Sequence, residues 1–228
     1  MTDPNQPPAN FRLRLVFAKK AQVKYISHLD LSLTWERALR RAQIPLAYSK
    51  GFNPRPKIQF ASGLPLGTTG AAEIVDIVTT ELVEPGEAQA RITAVLPHGI
   101  GLHSVATVEL KSPSLQHQLR QAEYQVRVET DLPEATLAER IDGLLAANSL
   151  IRTRRRRNRD EEFDLRPWLH QLRLSRADEA SLLLTMRVTA GQLGNLRPED
   201  VLKALGLADN WTETERTRLI FESDLQRE

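Results

Sequence analysis

The sequence predicts an α+β protein made of two tandem ferredoxin-like units, each running strand, helix, strand, strand, helix, strand around an antiparallel sheet. Three observations carry that expectation. Segments that alternate apolar and polar residues interleave, in the same order twice, with segments whose apolar residues recur at helical spacing. Pro and Gly residues punctuate the boundaries between them. The 228 residues, 41% hydrophobic and 26% charged, suffice for one large core or two small ones and exclude general disorder.

Residues 1–10 are polar and Pro-rich and read as a disordered lead. Residues 11–110 form the first unit. Phe11, Leu13, Leu15 and Phe17 alternate with Arg12 and Arg14 as a half-buried strand. Ser27-His28-Leu29-Asp30 fits a helix-capping signal, with Ser27 as N-cap, and the helix runs to about Gln43 before Pro45. Its apolar stripe is Leu31, Trp35, Ala38, Leu39 and Ala42. Gly51, Pro54 and Pro56 force residues 48–56 into an extended loop. Short strands follow at 57–62 and 73–80. In the second of these Val75 and Ile77 oppose Ile74, Asp76 and Val78, a pattern that suits cover on both faces. Pro85 opens a helix to Val95, and residues 100–110 are the last strand.

Residues 111–122 read as a linker and 123–228 as the second unit. Its expected elements are a strand at 124–130, a helix at 133–148, a strand from Leu150 into an arginine run, a strand at 181–190, a helix from Arg197 to Gly206 and a strand at 212–222. Residues 150–180 also suit a long hairpin. The two units share element order, with no visible sequence repeat.

Several chemistries are excluded. With no cysteine there is no disulfide, zinc knuckle, thiol nucleophile or self-ligated iron–sulfur cluster. The five histidines never fall at i, i+4, so neither a metal site nor a cofactor is expected. There is no dinucleotide-binding glycine motif, no Walker loop and no nucleophile elbow. No apolar run suits a membrane span, and no apolar stretch follows the first residues as a signal peptide requires, so a cytoplasmic protein is expected.

The net charge of +2 hides an uneven distribution. Residues 19–57 carry nine basic side chains against Asp30 and Glu36. Residues 58–110 carry Arg91 against six acids, and 152–159 hold six arginines. Such polarity suits a polyanion on one side of the molecule. The candidate nucleic-acid surface is Lys24, Tyr25, His28, Arg37, Arg40, Arg41, Tyr48, Lys50, Phe52, Asn53, Arg55 and Lys57, extended by Arg154, Arg155 and Arg156. Cations hold a single-stranded backbone, and rings stack on bases. The plainer alternative makes the rings core residues and the arginines a solvated face.

Three strings, Lys24–Asp30, Glu36–Ala42 and Ala47–Ile58, resemble the radical-SAM-linked protein family, an uncharacterised bacterial domain fused to, or encoded beside, a radical SAM protein. Phe163-Asp164-Leu165-Arg166-Pro167 resembles the family's Asp-Ile-Arg-Pro element, with Leu165 in place of Ile. The resemblance implies an RNA- or ribosome-related role and a radical SAM protein as partner. Lacking cysteine, this chain cannot itself carry the radical SAM cluster. The duplicated order also resembles the CRISPR repeat-processing endoribonucleases, in architecture only.

Three functions follow as expectations. The first is a non-enzymatic RNA-binding module. The second is an adaptor presenting substrate to a radical SAM enzyme, its acidic 58–110 half facing the partner. The third is a metal-independent endoribonuclease with His28 as acid or base and Tyr25 as its companion.

Overall fold

The computed structural model describes residues 10–156, 159–178 and 180–226, without the side chains of 154–156 and 159. It is a mixed α+β structure in two compact units, Met1–Gln118 and Leu119–Glu228.

The first unit runs β1 (Phe11–Lys19), α1 (His28–Arg41), β2 (Ile58–Phe60), β3 (Thr69–Thr79), α2 (Pro85–Thr93), β4 (Ile100–Val108) and a one-turn helix α3 (Leu115–Gln118). All its pairings are antiparallel: β1 lies between β4 and β3, and β2 pairs with β3 along Ile58–Phe60. The register places Leu13 opposite Ile77 and Leu15 opposite Val75. Period-two alternation then sends Leu13, Leu15, Phe17, Val75 and Ile77 to one face, where Leu31, Trp35 and Leu39 of α1 and Ala88 and Ile92 of α2 complete the core. Trp35 is fully buried and meets Phe17 edge-on at 4.9 Å between ring centroids.

The helix signal at Ser27 reads correctly. Its hydroxyl accepts from the Asp30 N–H at 3.1 Å and donates to the Asp30 carboxylate at 2.7 Å. The helix ends at Arg41, two residues short of the expected Gln43, because Gln43 takes a left-handed conformation at φ 55°. Arg91 of α2 donates to the carbonyls of Ala42 and Gln43, and Arg41 donates to the Val95 carbonyl. Each helix thus satisfies free carbonyls at the end of the other.

The face opposite the helices carries a buried ion cluster. Arg12 donates through Nε and Nη2 to Asp76, at 2.9 and 2.6 Å, and Arg14 donates to the same carboxylate at 2.9 and 3.0 Å. Arg12 also donates to the carbonyls of Ser112 and Pro113, so the segment after β4 folds over it. The expected cover on both faces of β3 therefore holds at Asp76, which is 2% exposed.

The second unit runs β5 (Leu119–Glu129), α4 (Glu134–Ala146), β6 (Ile151–Arg156), β7 (Arg159–Asp164), β8 (Leu169–Arg176), β9 (Ser181–Thr189), α5 (Pro198–Leu205), β10 (Thr212–Phe221) and a short α6 (Glu222–Leu225). The order β10-β5-β9-β8 is antiparallel throughout. The strand expected from Leu150 into the arginine run is β6, but residues 150–180 do not form one long hairpin. A hairpin, β6-β7, forms its own two-stranded sheet, and β8 then joins the main one. The segment 111–122 is also not a plain linker, since it holds α3 and the first four residues of β5. Alternation begins only at Ala122, because the pairing with β10 shifts register between Leu119 and Gln121 and breaks the period there.

The Asp164-Leu165-Arg166-Pro167 element fastens that hairpin. Asp164 accepts from the backbone N–H of Leu150 at 2.8 Å and of Arg166 at 3.0 Å. Those bonds favour the ionised carboxyl, which is held below the ordinary carboxylate range, the Leu150 bond contributing most. Arg166 donates to the carbonyls of Leu145 and Leu169, and Leu165 is fully buried. Asp164 and Arg166 thus both clasp backbone groups.

Candidate nucleic-acid interface

The loop after α1 is a closed hairpin. Leu46 bridges to Thr79 at the end of β3, Ala47 donates to Val78, and Lys57 donates back to Ala47 at 2.8 Å. Farther out Tyr48 bridges to Pro56, and Ser49 N–H donates to Arg55 at 2.8 Å while its hydroxyl accepts from the Arg55 N–H at 3.0 Å. These bonds turn a proline-broken stretch into a ribbon that leaves the sheet edge. Its tip, residues 50–54, turns at Gly51, whose φ of 140° is closed to most side chains.

Exposure separates the two readings of the aromatics. Phe52 is 100% exposed, Tyr25 72% and Tyr48 41%. None is core, although Phe52 sits on a tip whose base is fixed by hydrogen bonds. Lys50, Asn53, Arg55 and Lys57 are exposed around it. An apolar ring held in water on a braced loop gains nothing from folding. Both of its faces are open to a planar ligand.

The second group lies at the start of α1. Tyr25 packs near Gly67, and the Lys24 ammonium sits 5.3 Å from the Tyr25 ring centroid, occupying one face as a cation–π partner. His28 is exposed and meets Phe60, the last residue of β2, at 5.2 Å between centroids. This corner is held from inside by Lys19, 1% exposed, whose ammonium donates to the carbonyls of Lys24, Ile26 and Thr68. Lys19 is one of the nine basic side chains of residues 19–57. In the fold it is an internal clamp.

The predicted set is therefore divided. β2 separates the hairpin base at Lys57 from Phe60 and His28 by three residues, about 10 Å at strand rise. The tip points on from that base. Along α1, Arg37 is exposed, Arg40 pairs with Glu36 at 2.7 Å, and Arg41 is engaged with Val95. Arg41 is exposed and yet holds a backbone carbonyl, a role neither reading of the arginines gave it. Arg154, Arg155 and Arg156 have backbone positions opposite Glu161, Asp160 and Arg159, and their side chains lie outside the described residues. The acidic half thins as well. Glu73 and Asp76 are buried and Glu87 pairs with Arg91, while Glu81, Glu84, Glu87 and Glu109 are exposed.

Among the described residues no group of three metal-ligating side chains converges, and no helix is long and apolar enough to cross a membrane.

A family model described as "Uncharacterized protein conserved in bacteria (DUF2344)" matches residues 12–198. No curated protein matches. Among solved structures, the chain is similar over 96% of its length to a chain of a Cbf5–Nop10–Gar1 complex, at 12% identity and TM-score 0.52, covering 55% of that chain. It is also similar, at 13% identity and TM-score 0.48, to a chain of an H/ACA RNP bound to a substrate RNA containing 2′-deoxyuridine, covering 47% of it. The chain spans about half the length of these structures, and at such identities the likeness concerns the fold alone.

Proposed function

We propose that this chain, which belongs to the DUF2344 family of bacterial proteins, binds single-stranded RNA through the 47–57 hairpin and the adjoining start of α1. The observation that carries this reading is Phe52, fully exposed at the tip of a hydrogen-bonded ribbon and flanked by Lys50, Asn53 and Arg55. A ring in that setting supplies a stacking platform, and the cations track the phosphates. We read both units as ferredoxin-like. The adjacencies β4-β1-β3-β2 and β10-β5-β9-β8 support this, with β6-β7 as an insertion in the second unit. Small antiparallel sheets of this kind carry RNA-binding surfaces in other proteins, an analogy of architecture only.

Binding is preferred over cleavage. His28 and Tyr25 share one corner, but no hydrogen bond links their side chains, and Tyr25 already faces the Lys24 ammonium. The adaptor reading has its radical SAM partner from sequence resemblance alone.

The test is fluorescence anisotropy with a labelled single-stranded RNA of mixed sequence across a salt series. Phe52→Ala is expected to weaken binding by roughly 5- to 100-fold, the loss of one stacked base of about 1–3 kcal/mol. Its unfolding midpoint stays unchanged, because the ring is wholly exposed. An affinity that does not fall with salt, or that ignores Phe52, overturns the reading.

A further inference from the structure

The strand that returns from the hairpin borders a cavity of about 400 Å³ in the first unit, within the range of small-molecule pockets. Arg12, Lys57, Gln59, Asp76, Val78 and Leu110 line it. Its polar groups are of two kinds. Arg12 and Asp76 are locked: the Asp76 carboxylate accepts four N–H bonds from Arg12 and Arg14, which fills its acceptor sites. This ion pair forms the floor of the cavity. The Lys57 ammonium and the Gln59 amide, by contrast, make no side-chain hydrogen bond or ion pair among the described residues. Lys57 immediately precedes β2 and its carbonyl accepts from Val78, so it and Gln59 stand two residues apart on extended chain, on one side of it. Val78 and Leu110 add aliphatic surface, with Leu110 47% exposed at the rim.

We infer that this cavity takes one nucleobase of a nucleotide, with Gln59 on the base edge and Lys57 on the adjoining phosphate. An amide offers a donor and an acceptor side by side, which is the pattern a base edge presents. Aliphatic walls suit the flat faces of a base, and an ammonium suits its phosphate. Lys57 belongs to both the cavity and the hairpin, so a strand stacked on Phe52 can continue into the pocket. The inference rests on the RNA reading for that continuity, but the pocket can be tested without it.

The experiment uses the full chain, with adenosine 5′-monophosphate and ribose 5-phosphate as probes in calorimetry or NMR titration, and the single-stranded RNA alongside. The nucleotide is expected to bind at least tenfold more tightly than ribose 5-phosphate, which lacks only the base. Gln59→Leu, which keeps side-chain size, and Lys57→Gln are each expected to weaken the nucleotide at least fivefold. Equal binding of the two probes marks a plain anion site and overturns the inference, as does a nucleotide affinity that Gln59→Leu leaves unchanged. Full RNA binding with no nucleotide binding overturns the pocket and leaves the hairpin reading standing. Nucleotide binding that needs Gln59, with no RNA binding, upholds the pocket and overturns the hairpin. Circular dichroism of both variants checks that the fold is retained.

Discussion

Individual side chains in this protein depart from the roles their residue types suggest. Lys19, Arg12 and Asp76 are charged and buried, while Phe52 is aromatic and wholly exposed. A buried charge persists only when paired or hydrogen-bonded. Lys19 has three carbonyl acceptors, and Asp76 has two guanidiniums. Removing the shared acceptor strands Arg12, so Asp76→Ala is expected to cost about 3–5 kcal/mol in urea unfolding. A titratable group gives a second prediction. His170 bonds Thr189 Oγ1 at 2.9 Å, and burial, followed by the fields of Arg187 and Arg166, lowers its pKa below the ordinary imidazole value of about 6.5. Between the lowered folded value and the unfolded one, the unfolded chain binds more protons, so stability rises with pH across that window. His170→Gln is expected to flatten the slope just below pH 6.5 in a series of unfolding curves.

At the scale of elements, the two helices of the first unit depend on each other's ends. Arg91 holds the carbonyls that follow α1, and Arg41 holds the one at Val95 after α2. Arg91→Ala is expected to lower stability by about 1 kcal/mol, since the side chain is partly exposed and its bonds compete with water. Thermal unfolding measures this, and an unchanged midpoint removes the clasp as a source of stability. The hairpin at 47–57 shows the converse case. Its prolines and glycine were legible as breakers of regular structure, and the inference of an extended loop was sound as far as it went. The closure of the loop into a ribbon was not legible. The bonds of Ser49 with Arg55 and of Ala47 with Val78 join residues whose pairing depends on where β3 ends. In the Asp164–Pro167 element likewise, sequence shows the two charges and hides the backbone N–H and carbonyl groups that they meet.

At the scale of the molecule, charge sets how binding responds to salt. Lys24, Arg37, Lys50, Arg55 and Lys57 remain as candidate phosphate contacts once buried Lys19, Arg40 paired with Glu36 and Arg41 bonded to the Val95 carbonyl are set aside. Five contacts imply a slope of log K against log salt of about −3 to −4 for a single strand, and each alanine substitution is expected to reduce it by about 0.7. Alanine at Arg154, Arg155 and Arg156 together tests the second unit. A slope it does not alter places the whole surface in the first unit.

By itself the sequence determined the alternation that places Leu13, Leu15 and Phe17 on one face, the cap at Ser27, the break at Pro45 and the loop at 48–56. Each of these is a local matter of side-chain period and backbone freedom, and is written in adjacent residues. It also determined the order of the main strands and helices of the first unit and the clustering of cations in 19–57. Only the tertiary structure decided which of those cations reach water, because burial depends on chains that meet across tens of residues, as Arg12 meets Asp76 and then Ser112. It alone separated Phe52 from the core and removed Glu73 and Asp76 from the acidic surface. It also closed a cavity beside Lys57 and Gln59. A side chain's chemistry is fixed by its type, but its partner is fixed by register and packing, and those are properties of the folded chain.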